Sequence, residues 1–218
     1  MPRKPRLISP SGIYHVILRS VNQQLIFEDL SDYQKFIYIL SDCKNKYGID
    51  IYAYCIMDNH IHLLIKSNNN LASFFQSLGS RFVRWYNDKY NRFGHLFQER
   101  YFSRIVETKE YFMNTLIYIH NNPVAAKTCR FPSEYYWSSY NAYYGQTNKL
   151  VDINFSYELA GSKEALLQYF AQKNKELDSI YESSYDVPKT IRHITDEDAL
   201  EIFKETTNLP STFEIHNI

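Results

Sequence analysis

The sequence has no apolar run long enough to span a bilayer. Its longest apolar stretches, such as residues 52–57 and 63–65, fall far short of the roughly 20 residues that a membrane helix needs. Residues 9–12 (Ser-Pro-Ser-Gly) stand after the basic N-terminal residues, where a secretory signal would need its apolar segment. We therefore expect a cytoplasmic protein without membrane helices.

Cysteine is scarce as well. The 218 residues include three cysteines, Cys43, Cys55 and Cys129, which are far apart and form no CxxC pair. An odd number at this spacing argues against a disulfide framework and against a CxxC-type zinc or redox motif. We expect buried thiols in a reducing compartment.

Net charge is zero over the whole chain, but it is unevenly distributed. Residues 1–130 contain 17 Lys and Arg against 10 Asp and Glu, whereas residues 131–218 contain 7 against 14. The first part therefore carries +7 and the second −7. This asymmetry indicates that the first part meets a polyanion. The hydrophobic content of 44% is sufficient for a packed core.

Periodicity predicts a strand, a helix and a hairpin in the first 66 residues. Residues 13–20 alternate, which places Tyr14, Val16 and Leu18 on one strand face and His15, Ile17 and Arg19 on the other. Ser31 and Gln34 have capping-box spacing, so a helix is predicted from Ser31 to Gly48. The turn-forming pair Asp58 and Asn59 separates two predicted strands, 49–57 and 60–66.

The next elements complete an alternating α+β order. An amphipathic stripe predicts a helix over 71–89, and a strand is predicted over 101–106. Thr108 is expected to cap a further helix, which Pro123 stops near Asn121. This order predicts an α+β, ferredoxin-like sandwich with a central antiparallel sheet, helices on one face and the other face open. Residues 1–149 form this domain, and residues 150–218 are predicted to be a separate acidic helical appendage with helices near 162–181 and 196–205.

The most informative local pattern is His60-Ile61-His62 on a predicted strand. Alternate strand residues point to the same side, so both imidazoles face one point while Ile61 anchors the strand in the core. Two histidines leave coordination positions for an oxygen ligand, water and a substrate phosphate, as in a Lewis-acid site. A His-x-His triplet can also be incidental.

Tyr118 and Asn122 form the second pattern, because residues four apart share one face of a helix. Asn122 could supply an oxygen ligand, and the Tyr118 phenol would lie one turn away, next to a bound phosphate. A phosphoryl group polarised by a metal can be attacked in line by a phenol, which yields a phosphotyrosine. The alternative is that Tyr118 is one of 20 tyrosines and packs in the core.

Four segments carry a resemblance to a known family. They are Tyr54-Cys55-Ile56-Met57-Asp58-Asn59-His60-Ile61-His62-Leu63-Leu64-Ile65, Gly94-His95-Leu96-Phe97-Gln98-Glu99-Arg100-Tyr101, Tyr118-Ile119-His120-Asn121-Asn122-Pro123-Val124-Ala125-Ala126 and Trp137-Ser138-Ser139-Tyr140. In this order they resemble the HUH endonucleases, and among these the single-tyrosine, IS200-like transposases of the subgroup associated with repetitive extragenic palindromes (REP). The resemblance covers roughly residues 10–145.

The resemblance implies a metal-dependent enzyme that cleaves single-stranded or hairpin DNA through a 5′-phosphotyrosine. Tyr118 corresponds to the nucleophile, His60, His62 and Asn122 correspond to the ligands of Mg²⁺ or Mn²⁺, and the partner is single-stranded or hairpin DNA in the nucleoid. Relatives work as monomers or homodimers. The basic residues Arg3, Lys4, Arg6 and Arg19 are candidate phosphate contacts. The region of the GHLFQER match adds His95, Gln98, Arg100 and Arg104 as candidate DNA contacts.

Two other functions remain open. One is a DNA-hairpin-binding protein or regulator that has lost catalysis. The other is a metal hydrolase that activates water and forms no covalent intermediate, in which case both DNA ends would be released free of protein.

Overall fold

The computed structural model describes residues 8–98 and 100–183 as an α+β sandwich. Its four strands are β1 (Ile13–Arg19), β2 (Ile49–Ile56), β3 (His60–Ser67) and β4 (Phe102–Ile105), in the antiparallel order β2-β3-β1-β4. Its helices are α1 (Leu30–Tyr47), α2 (Leu71–Tyr90), α3 (Lys109–Ala125), α4 (Asn154–Ala160) and α5 (Lys163–Ser183). The predicted ferredoxin-like fold class is confirmed, since each predicted strand and helix of the sheet domain is present.

Helices α1 and α2 cover one face of the sheet, as predicted. Val16, Leu18 and Leu63 point to this side and pack with Phe36 of α1 and Phe82 of α2 in one buried cluster. The alternation of β1 therefore has the predicted polarity. Its other face, with His15 and Arg19, points away from these helices.

The second face of the sheet is covered rather than open. Phe112 and Leu116 of α3 pack against Tyr52 of β2 and Leu64 of β3, and Phe170 of α5 joins the same cluster. The prediction that all helices lie on one face of the sheet and leave the other face open is therefore wrong, because α3 and α5 cover that second face. The consequence is that α3 lies over the same face of the sheet as the histidine pair.

The N-terminus of α1 differs from the predicted capping box. Asp29, not Ser31, is the N-cap, and its carboxylate accepts from the backbone N–H groups of Ser31 and Asp32. Asp32 completes the box by accepting from the backbone of Asp29. The predicted end of the helix is confirmed, because Gly48 adopts the left-handed conformation at φ 61°.

Pro123 does not end α3. Thr108 caps the helix as predicted, accepting from the backbone N–H of Tyr111, but the helix runs on to Ala125. A proline near a helix C-terminus removes one hydrogen bond, which burial of its ring can offset. The backbone at Asn122 is consequently helical, and Tyr118 and Asn122 share one helix face.

The start of the predicted appendage packs against the sheet domain. Leu159 of α4 and Leu166 and Phe170 of α5 belong to the cluster formed with α3. The helix predicted near 162–181 corresponds to α5, while the one near 196–205 and the basic arm of residues 1–7 lie outside the described residues. The boundary at residue 150 remains a prediction. No helix in the described part of the chain is long and apolar enough to cross a membrane.

Replacing Asp32 with alanine is expected to destabilise the fold by about 3 kcal/mol. The Asp32 carboxylate is fully buried, contacts Lys89 at 2.7 Å and accepts from the Tyr90 hydroxyl at 2.8 Å, so it joins α1 to α2. Urea unfolding would measure the loss. The matched control is Asp42→Ala, because the exposed Arg81–Asp42 ion pair should contribute less than about 1 kcal/mol. Equal effects of both substitutions would contradict the prediction.

Candidate active site

The histidine pair lies on the α3 side of β3. In the register of the sheet, Arg19 pairs with His60, Ile17 with His62, and His15 with Leu64. Paired residues of adjacent antiparallel strands point to the same side, so His15 and both histidines of the pair share one face. The predicted alternation is therefore present in the structure.

His62 is fully buried, and only one of its ring nitrogens has a partner. Its Nδ1 lies 3.2 Å from Nε2 of His15. Its Nε2 has no hydrogen-bond partner among the described residues. A buried nitrogen without a partner is costly unless something binds it. This nitrogen is thus a candidate ligand atom.

His60 is held by its neighbour in the hairpin turn. Its Nδ1 lies 2.6 Å from Oδ1 of Asn59. Because an amide oxygen only accepts hydrogen bonds, the ring must donate from Nδ1, which leaves a lone pair on Nε2 of the neutral imidazole. Metal-bound histidines are commonly oriented in this way by a partner on the other ring nitrogen.

The surroundings keep these imidazoles uncharged. Burial, with the nearby Arg19 guanidinium, lowers the pKa of His60 to about 4, although the Asn122 side chain opposes this shift. Burial, His60 and His15 hold the pKa of His62 well below its usual value. Burial and Arg104 lower the pKa of His15 to about 3. Near pH 7 all three rings are neutral, which is the form that binds metals.

Asn122 brings an amide oxygen to the pair from α3. Its Nδ2 donates to the carbonyl of Tyr118 at 2.8 Å, so Oδ1 is the atom left for the histidines. The nearby Asn122 side chain raises the pKa of both His60 and His62 relative to burial alone. The amide is therefore within reach of both rings.

Tyr118 lies beside the same histidines. Its half-buried ring meets His62 edge-on, with 5.5 Å between the ring centroids, and meets His15 at 5.7 Å. The structure thus brings together the four residues that the sequence singled out, Tyr118, His60, His62 and Asn122, on the α3 face of the sheet.

The donor atoms of this cluster fit a divalent cation that is incompletely coordinated by protein. Within residues 8–98 and 100–183, no three His, Cys, Asp or Glu side chains form a metal-binding group. The set here instead consists of two imidazole nitrogens and the amide oxygen of Asn122. The unpartnered Nε2 of buried His62 is the observation that favours a bound ion. Three protein ligands leave coordination positions on the cation for water or phosphate oxygens.

Two predicted cationic contacts flank the cluster. Arg19 is exposed and pairs in register with His60, and Arg104 pairs with His15 in the adjacent strand. The Arg104 guanidinium also lies over the ring of Phe102, 5.5 Å from its centroid. Both arginines lower the pKa of histidines in the cluster, which places their charge close to it.

The loop between α2 and β4 carries three other predicted contacts. His95, Gln98 and Arg100 are exposed there. The backbone N–H of Gln98 donates to the carbonyl of Arg19 at 2.9 Å, which holds the loop at the end of β1. Arg3, Lys4 and Arg6 belong to the residues that the structure does not describe, so their roles remain predictions.

The sequence patterns do not single out a role for two residues of the cluster. His15 contacts His62, and Asn59 contacts His60. The signal for His15 was available, because strand alternation placed it on the same face as Arg19. For Asn59 the sequence indicates only a turn position, because its side-chain contact depends on the conformation of the turn.

The fold and the cluster define an α+β domain with a tyrosine beside a His-x-His pair. The family model for IS200-like transposases matches residues 9–122 of this chain. The chain therefore belongs to the IS200-like transposase family, as the sequence resemblance implied. No curated protein sequence matches it.

The solved structures that are similar to the chain include two transposases. One is a REP-associated tyrosine transposase bound to a REP hairpin, with a TM-score of 0.59 and 15% identity over 70% of this chain and 90% of that one. At this identity the match shows a shared fold. The other is described as a transposase from Deinococcus radiodurans R1, with a TM-score of 0.38 and 19% identity over 48% of this chain and 86% of that one.

Proposed function

We propose that the protein cleaves and rejoins single-stranded DNA at hairpin-forming repeats through a covalent 5′-phosphotyrosine at Tyr118. The observation that carries the proposal is the position of this phenol, edge-on to His62 and one helical turn from Asn122. Membership of a transposase family supports DNA as the substrate. The hairpin bound by the solved relative of the same fold supports the substrate class.

The reaction exchanges one phosphate ester for another. The Tyr118 oxygen forms a bond to the phosphorus while the bond to the 3′ oxygen breaks, and the phenolic proton ends on the released 3′ hydroxyl. The phosphate ester is retained on the protein, so attack by a new 3′ hydroxyl reverses the step without an external energy source. This symmetry allows one site to cleave and rejoin.

His60, His62 and Asn122 are the residues that would hold Mg²⁺ or Mn²⁺ in this proposal. The bound ion would supply Lewis-acid polarisation of the scissile phosphate. The protein orients the proposed ligands. Asn59 contacts Nδ1 of His60, and His15 contacts Nδ1 of His62. The hydrogen bond from the Asn122 amide to the Tyr118 carbonyl holds the third proposed ligand against the helical turn that carries the proposed nucleophile.

The test is a search for a protein-linked DNA strand. Hairpin oligonucleotides of varied sequence, each labelled at one end, would be incubated with the protein in Mn²⁺ and, as a control, in EDTA. We expect a metal-dependent adduct that retains only the label 3′ to the cleavage site, with the DNA attached to Tyr118 in the peptide map. Cleavage with two free ends would instead indicate hydrolysis, and binding without cleavage a hairpin-binding protein.

Arg19 and Arg104 are proposed phosphate contacts on either side of the cluster. The association constant for hairpin binding falls as salt rises, because each phosphate contact releases counterions. Replacing either arginine with alanine is expected to reduce the magnitude of the slope of log K against log salt by about 1. Fluorescence anisotropy at several salt concentrations measures the slope. Lys46→Ala is the control, because α1 lies on the opposite face of the sheet. An unchanged slope in both arginine variants would contradict the assignment.

A further inference from the structure

His15 is a buried histidine that no step of the proposed reaction uses. It is 1% exposed, in the middle of β1, and its Nε2 lies 3.2 Å from Nδ1 of His62. The two ring planes are 22° apart with 5.5 Å between their centroids. This separation fits two rings that lie side by side along the N···N hydrogen bond.

The direction of this hydrogen bond decides whether His62 can bind a metal. A neutral imidazole carries one N–H and one lone pair. If His15 donates, the proton of His62 lies on Nε2, and the nitrogen that faces the cluster has no lone pair to offer. If His15 accepts, the proton of His62 lies on Nδ1 and the Nε2 lone pair of His62 is free. The proton of His15 then lies on its own Nδ1, which has no hydrogen-bond partner among the described residues.

We propose that His15 is a positioning residue for His62: its Nε2 accepts a hydrogen bond from Nδ1–H of His62 and holds the Nε2 lone pair of His62 toward the metal position. The inference rests on the proposed metal site. Metal-binding histidines commonly donate the other ring N–H to a carboxylate, carbonyl or water. Here a second neutral imidazole takes that place.

The neighbouring ligand supports this interpretation. Asn59 accepts from Nδ1 of His60, which frees Nε2 of that ring in the same way. Each histidine of the pair thus has an outer partner on Nδ1. The ring of His15 also lies edge-on to Tyr118, with 5.7 Å between centroids, so its position is fixed from the α3 side as well.

Mn²⁺ titrations followed by electron paramagnetic resonance test the role of the acceptor. His15→Leu removes the acceptor at similar volume and is expected to weaken Mn²⁺ binding by about 10- to 100-fold. His15→Gln keeps an oxygen where Nε2 stood and should restore most of the affinity. DNA cleavage by His15→Leu should recover at saturating Mn²⁺, which a general loss of packing would not allow.

Nitrogen-15 NMR of the unsubstituted protein in Mg²⁺ tests the tautomer without any variant. We expect the long-range ¹H–¹⁵N pattern of His62 to show a protonated Nδ1. A proton on Nε2 of His62 in the metal-bound protein, or equal Mn²⁺ affinity of His15→Leu and the unsubstituted protein, would overturn the inference and leave the proposed function standing. No Mn²⁺ binding by the unsubstituted protein would overturn both.

Discussion

Tyr118→Phe is expected to abolish the covalent DNA adduct and to lower strand cleavage by about 10⁴-fold or more, because the variant lacks only the oxygen that we propose as the nucleophile. The phenylalanine ring can keep the edge contacts with His15 and His62. Mn²⁺ affinity and hairpin binding should therefore stay at the level of the unsubstituted protein. A denaturing gel of end-labelled hairpin measures the adduct, and anisotropy measures binding.

Tyr38→Phe is the control for this experiment. Tyr38 is 62% exposed on α1, on the other side of the sheet, so removal of its hydroxyl should leave the adduct unchanged. An adduct of normal yield in Tyr118→Phe would show that another tyrosine is the nucleophile. Metal-dependent cleavage that persists without an adduct would favour water activation by the histidine pair.

The geometry of the histidine pair was predictable because it follows from a local property of the chain. Residues two apart on a strand point to the same side, whatever the strand packs against. The structure accordingly places His60 and His62 on one face and Ile61 in the opposite cluster. The same reasoning holds for Tyr118 and Asn122, which are one turn apart on α3.

The side of the sheet that α3 occupies was not predictable in this way. The buried residues of α3 extend around much of its circumference: Phe112, Met113, Thr115, Leu116, Ile117, Ile119, His120, Asn121 and Pro123. Such a pattern predicts a helix enclosed between two layers but does not say which layers. The second layer is supplied by α4 and α5, where Leu159 and Phe170 lie against the α3 cluster.

The end of α3 shows how packing can override a local rule. Proline disfavours helical backbone at the residue before it, and this predicted an end near Asn121. In the structure Pro123 is buried, and the Asn122 amide donates to the Tyr118 carbonyl. The extra turn is the one that directs Asn122 toward the histidines. A site residue therefore depends on tertiary contacts that the sequence pattern did not contain.

His62→Gln is expected to weaken Mn²⁺ binding by about 100-fold or more, since it replaces the buried nitrogen that we propose as a ligand. Adduct formation should fall with it at any fixed Mn²⁺ concentration below saturation. Hairpin binding in EDTA should be retained, because the proposed phosphate contacts lie on other residues, Arg19 and Arg104. On one preparation, electron paramagnetic resonance measures Mn²⁺ affinity and fluorescence anisotropy measures hairpin binding, so a loss of metal binding is distinguished from a loss of DNA binding.

His120→Gln provides a closely matched control. Like His62, His120 is buried and neutral, and burial lowers its pKa to about 3. Its Nε2 lies 2.8 Å from the Ser139 hydroxyl, in a contact that joins α3 to the segment after it. We expect this variant to lose thermal stability but to keep Mn²⁺ affinity and adduct formation. Similar losses of Mn²⁺ affinity in both variants would mean that His62 acts through packing and not as a ligand.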